Sequence, residues 1–120
     1  MQNAAQAYSN TAKATVTPRE REASLLIKAA AQLQQTKDDS VKDRNKLRSA
    51  LHYNRKLWTV LVTSVTSDEN PLPLAIKNNI ASLGVFIFGQ TMEILAQPEP
   101  AKLGVLISIN REIAAGLRSQ

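Results

Sequence analysis

Few side chains in this sequence are of a type and spacing that could do chemistry. His52 is the only histidine, there is no cysteine, and the four glycines form no phosphate-cradling pattern. His52 falls between an apolar stripe and a basic flank, with no second ligand at helical spacing, so neither a metal pair nor a Ser-His-Asp arrangement can be assembled around it. The carboxylate pairs Asp38/Asp39 and Asp68/Glu69 stand in polar connections and read as solvated or helix-entry residues. The expectation is a protein that is not an enzyme and holds no metal and no cofactor.

Two other groups carry more information. Arg44, Arg48 and Arg55 recur at steps of four and seven, which aligns them on one flank of a helix, with Lys42, Lys46 and Lys56 nearby. Such a row is either a solvated flank, the rim of a groove for an acidic helix, or a phosphate-binding strip; no aromatic residues interleave with it for base stacking. Asn54 and Asn110 stand on otherwise apolar stripes. A buried amide must find partners there, and in a bundle core it can fix helix register.

The elements that position these residues follow from composition and period. The chain has 120 residues, 43% of them hydrophobic and only 4% aromatic, which predicts one all-α domain over 1–120 with an aliphatic core. The five prolines fall between apolar segments. The spacing predicts a compact bundle of four main helices at about 18–35, 41–66, 71–96 and 100–117, preceded by an arm or short helix over 1–16 with Tyr8 as its anchor.

The first predicted helix opens on Thr17-Pro18-Arg19-Glu20, a capping box with proline at the first position, and buries Ala23, Leu26, Ile27, Ala30 and Leu33. The second is expected to be capped by Ser40 and to bury Leu47, Ala50/Leu51, Asn54, Leu57/Trp58, Leu61 and Val65. Its β-branched tail competes as a strand, but the helical spacing continues through it. The third is expected to take Asn70 as its cap, with Pro71 and Pro73 in the first turn. It is apolar on nearly every side and is therefore either central or covered by a partner. Gly84 and Gly89 inside it call for close approach of a neighbouring helix. The second and third helices are read as a central antiparallel pair. The fourth buries Leu103, Leu106, Ile107, Asn110, Ile113, Ala114 and Leu117, leaving Val105 and Ile109 outside the stripe.

Net charge is +5, which permits attraction to nucleic acid, an anionic surface or an acidic partner. The start of the chain does not read as a signal peptide, and the strongest apolar run, Leu83 to Phe88, is far short of the roughly 20 residues that cross a bilayer. The expectation is a cytoplasmic protein without membrane insertion.

Four blocks in order now resemble one family. They are Arg55-Lys56-Leu57-Trp58-Thr59, Asp68-Glu69-Asn70-Pro71-Leu72-Pro73, Ile80-Ala81-Ser82-Leu83-Gly84-Val85-Phe86, and the stretch from Leu106 through Asn110-Arg111-Glu112 to Leu117. With Pro18-Arg19-Glu20-Arg21-Glu22 ahead of them, they resemble the FlaF family of bacterial flagellar biosynthesis regulators from Thr17 to Arg118. The family-motif positions are Asn54, Leu57, Trp58, Asn70, Pro73, Leu83, Gly84, Asn110 and Gly116. The resemblance implies a helical protein required for flagellin production and filament assembly, acting beside a second regulator, FlbT. The favoured mechanism is a secretion chaperone for flagellin, with a groove drawn from the third and fourth helices at Val85, Phe86, Phe88, Met92, Val105 and Ile109 and a basic rim at Arg44, Arg48 and Arg55. An RNA-binding regulator of flagellin message, or an adaptor for FlbT, are the alternatives.

Overall fold

The structure, a computed structural model, describes residues 17–120. The arm over 1–16, with Tyr8, lies outside the described residues. Four helices follow in order: α1 (Pro18–Asp38), α2 (Arg44–Val65), α3 (Leu74–Ala96) and α4 (Pro100–Arg118). All four contribute to one hydrophobic core, as the apolar spacing predicts.

Thr17 Oγ1 accepts the Glu20 N–H at 3.1 Å, and Pro18 occupies the first position of α1. The helix runs to Asp38 rather than 35, its last turn held by Gln34 Nε2 donating to Asp38 Oδ1 at 2.8 Å. The buried face takes Ala29 and Thr36 in place of Ile27, which is 37% exposed. Ser40 does not cap α2. It and Val41 have φ of 55° and 53°, the left-handed region, whereas an N-cap needs extended backbone. Asp43 caps instead, its Oδ1 accepting from the Asn45 and Lys46 N–H groups at 3.0 and 3.1 Å, and α2 starts at Arg44 rather than 41. The β-branched tail of α2 stays helical. Thr59, Thr63 and Thr66 hydroxyls donate to carbonyls one turn back and satisfy themselves within the helix.

Asn70 does not cap α3 either. Its Oδ1 accepts the Leu72 N–H at 3.0 Å and its Nδ2 donates to Ser64 Oγ at 3.0 Å, so it ties the hinge to the end of α2. Pro73 keeps Leu72 out of helical conformation, so α3 starts only at Leu74, with Pro73 as an N-cap that offers no side-chain bond. Leu72 is buried in the core, and Lys77 Nζ donates to the Ser67 and Asn70 carbonyls across the hinge.

The helices are arranged so that each packs on its sequence neighbours, and α4 closes back on α1. The most extensive contact is between α1 and α4, where buried Ala23, Ala30 and Ala114 let the backbones approach. The α2–α3 pair is therefore not the centre of the bundle. α3 lies at one side of the molecule, well packed on α2 and only loosely on α4. The outline is flat, 50 × 40 × 19 Å, about two helices thick.

This placement decides the fate of the most apolar helix. α3 buries one narrow row, Ile80, Gly84, Ile87, Thr91 and Ile94. By length and composition it is apolar enough to cross a membrane, yet only 28% of its most apolar window is buried within the chain. The run Leu83 to Phe88 is bounded by Ser82 and Gly89, with Asn79, Gln90 and Glu93 farther out; averaged over the whole helix the apolar character persists. Gly84 has the expected reason: a Cβ there would collide with Val62 Cγ2. Gly89 does not, since a Cβ would meet nothing within 4 Å.

Candidate functional site

The polar residues of the core meet. Asn110 on α4 is fully buried; its Oδ1 accepts the Trp58 Nε1–H at 2.9 Å, and its Nδ2 donates to Asn54 Oδ1 at 2.7 Å and to the Leu26 carbonyl at 3.3 Å. One amide thus links α4 to α2 and to α1. A one-residue slide of α4 would break all three bonds, so the cluster selects register. The Asn54 Nδ2 is buried without a partner. Sequence spacing brought both asparagines onto the core stripes; the indole donor between them was not legible, because nothing in a sequence gives the rotation of α2 about its axis. Leu57 is half-buried and packs against the same core.

Where α3 and α4 pack loosely, a cleft of about 400 Å³ opens at the end of the bundle that holds the N-terminus of α3 and the C-terminus of α4. Its walls are Ile76, Ile80 and Leu83 from α3 and Ile109, Ile113 and Leu117 from α4; Asn79, Glu112, Gly116, Ser119 and Gln120 line it as well. The walls are apolar and the additional lining is largely polar, which suits an amphipathic segment. Phe86, 44% exposed, lies one turn beyond Leu83 on the same flank of α3, and Val105, 44% exposed, one turn before Ile109 on α4.

The single groove expected from the sequence is therefore two surfaces. Phe86, Val105 and Ile109 belong to the α3–α4 side, together with the motif residues Leu83 and Gly116. Val85, Phe88 and Met92 face away from it, because α3 carries them on its α2 flank; Phe88 and Met92 line a shallow hollow with Arg55 and Thr59. Val85 is 71% exposed and Met92 60%. The α2 wall of that hollow is polar, formed by Arg55 and Thr59; Phe88 is half-buried against the core, and Met92 is left exposed.

Arg44, Arg48 and Arg55 are all exposed on α2, and only Arg55 approaches an apolar patch. The charged residue at the α3–α4 cleft is an acid, Glu112, and none of the three arginines lines it. His52 is exposed beside Ser49, Tyr53 and Lys56, a neighbourhood with no carboxylate or second ligand. No group of three His, Cys, Asp or Glu residues gathers among the described residues. Within α1, burial pushes the Glu22 carboxyl above its ordinary value of 4.5, against the opposing pull of the Arg19 guanidinium 3.4 Å away. Glu22 Oε2 is buried with no partner.

A family model described as flagellar protein FlaF matches residues 4–117. The match takes in α1, α2, α3 and nearly all of α4, and it begins thirteen residues before Thr17 (a stretch the four sequence blocks do not reach). No curated protein and no solved structure matches the chain.

Proposed function

The chain belongs to the FlaF family and its role is flagellar; from that premise we propose that it binds flagellin before export, seating an amphipathic terminal helix of flagellin in the cleft between α3 and α4. The observation that supports this is the loose α3–α4 packing, which leaves Ile76, Leu83, Ile109 and Ile113 only partly covered by the chain itself. Flagellin ends are helices that polymerise when exposed. A helix laid along the cleft hides its apolar face against these residues, while Asn79, Glu112 and Gln120 meet its polar edge. The chain would act in the cytoplasm, where flagellin waits as monomer.

Calorimetry with monomeric flagellin or its terminal peptides tests the reading. The expected result is association in the micromolar range or tighter, lost in Phe86→Glu and Ile109→Glu proteins that retain their helical circular dichroism. No association at roughly tens of micromolar would refute flagellin binding. Affinity for flagellin message with a steep salt dependence, lost on Arg44→Ala and Arg48→Ala, would transfer the role to RNA.

A further inference from the structure

The outward side of α3 follows a second rule, independent of the cleft. Each residue of its buried row is followed by one of another row turned about 100° around the helix. Leu74, Asn78, Ala81, Val85, Phe88, Met92 and Leu95 recur at steps of four and three, a seven-residue repeat over three heptads. Leu74, Val85 and Met92 are 70%, 71% and 60% exposed. A strict alternation of this kind is the seam of a helix that packs on another helix; Ala81, Phe88 and Leu95 are half-buried against the chain's own core, while Leu74, Val85 and Met92 stay uncovered by the described residues.

We infer that this seam joins two copies of the chain, α3 against α3, parallel and in register. In that arrangement Asn78, Val85 and Met92 take the a positions and Leu74, Ala81, Phe88 and Leu95 the d positions. Asn78 is the one polar residue of the seam, and an amide at an a position finds its match in the same amide of an identical helix. The edges agree with this. One edge of the seam, carrying Gly84 and Thr91, is already covered by α2. The other edge is Ala75, Ser82, Gly89 and Ala96 at steps of seven, every one small and exposed. In a parallel pair the covered edge of one copy lies against the small edge of the other, so each α2 meets the small column of the second copy. Gly89, where a Cβ would meet nothing within 4 Å among the described residues, then receives a neighbour. Counting the adjoining strip of α2, the face is about 32 Å long and about 20 Å wide, near 600 Å² per copy and near 1,200 Å² for the pair, the lower end of stable interfaces.

Sedimentation equilibrium of the full chain tests this. The expected result is a dimer with a dissociation constant near micromolar, weakened at least tenfold by Met92→Glu with helical circular dichroism unchanged. The chain has no cysteine, so Ala81→Cys gives a clean second reading: mild oxidation links the in-register pair through residue 81. A chain that remains monomeric at about 100 µM overturns the inference, and so does a monomer that floats with phosphatidylcholine vesicles, which would assign the face to a bilayer. A dimer in which Ala81→Cys does not link overturns the parallel register. Because the cleft and the seam occupy different flanks, Ile109→Glu leaves the dimer intact and Met92→Glu leaves flagellin-peptide binding intact.

Discussion

Replacing Asn110 by alanine separates register-setting polar contacts from ordinary core packing. The substitution removes the acceptor of the Trp58 indole N–H at 2.9 Å and the donor to Asn54 Oδ1 at 2.7 Å, both fully buried. Each orphaned group costs about 1–3 kcal/mol, whereas the Leu26 carbonyl sits inside α1 and keeps its own helix bond. A small cavity adds to this, so Asn110→Ala is expected to lose about 3–5 kcal/mol, a large share of the roughly 5–15 kcal/mol that holds a domain together. Asn54→Ala is expected to lose less, about 1–2 kcal/mol, because it removes an amide whose Nδ2 already lacks a partner and leaves Asn110 with the Leu26 carbonyl. Urea unfolding followed by far-ultraviolet circular dichroism gives both values, and Trp58, the only tryptophan, reports the same transition by fluorescence. A double-mutant cycle with Trp58→Phe should show coupling of about 1–2 kcal/mol between Trp58 and Asn110. A loss under about 1 kcal/mol for Asn110→Ala, or an equal loss for Asn54→Ala, would refute the reasoning.

The two glycines of α3 should respond in opposite directions. Gly84→Ala drives a methyl into Val62 and is expected to destabilise by about 1–3 kcal/mol, whereas Gly89→Ala, with open space around it, should stabilise dilute protein by up to about 1 kcal/mol, both read from urea midpoints. Asp43→Ala removes both bonds at the start of α2 and should cost about 1 kcal/mol in the same assay, with Ser40→Ala costing less because Ser40 caps nothing. Glu22 supplies a pH signature. A carboxyl raised in the folded state favours folding when protonated, so its contribution is present below about 4.5 and is lost as pH rises through the raised value. Glu22→Gln should therefore raise the melting temperature near pH 7 and have little effect near pH 3, as scanning calorimetry across pH would show.

Much of this architecture is local and so was legible in residue order. Thr17-Pro18-Arg19-Glu20 starts α1 because cap and first-turn bonds span only three residues, and the β-branched end of α2 stays helical because its hydroxyls bond one turn back. The misplaced caps, Ser40 and Asn70, failed for a shared reason. Each sits in a connection whose backbone is set by what the chain must reach, left-handed residues at 40 and 41 in one case and a buried Leu72 ahead of Pro73 in the other. Residue type marks a candidate cap, but the φ of the connection decides whether it is used.

The functional surface divides in the same way. That α3 is too apolar to face water was evident from its composition, and so was the membership of Val85, Phe86, Phe88, Met92, Val105 and Ile109 among uncommitted apolar residues. The family blocks were likewise present in residue order. What order alone could not supply was the distance between helices. Alanines on α1 and α4 draw those two helices together, which leaves α3 on the side of the bundle and divides its apolar surface between a cleft toward α4 and a partly exposed row beside α2. Periodicity determines which residues share a helix face; how closely neighbouring backbones approach determines which of those faces the fold covers.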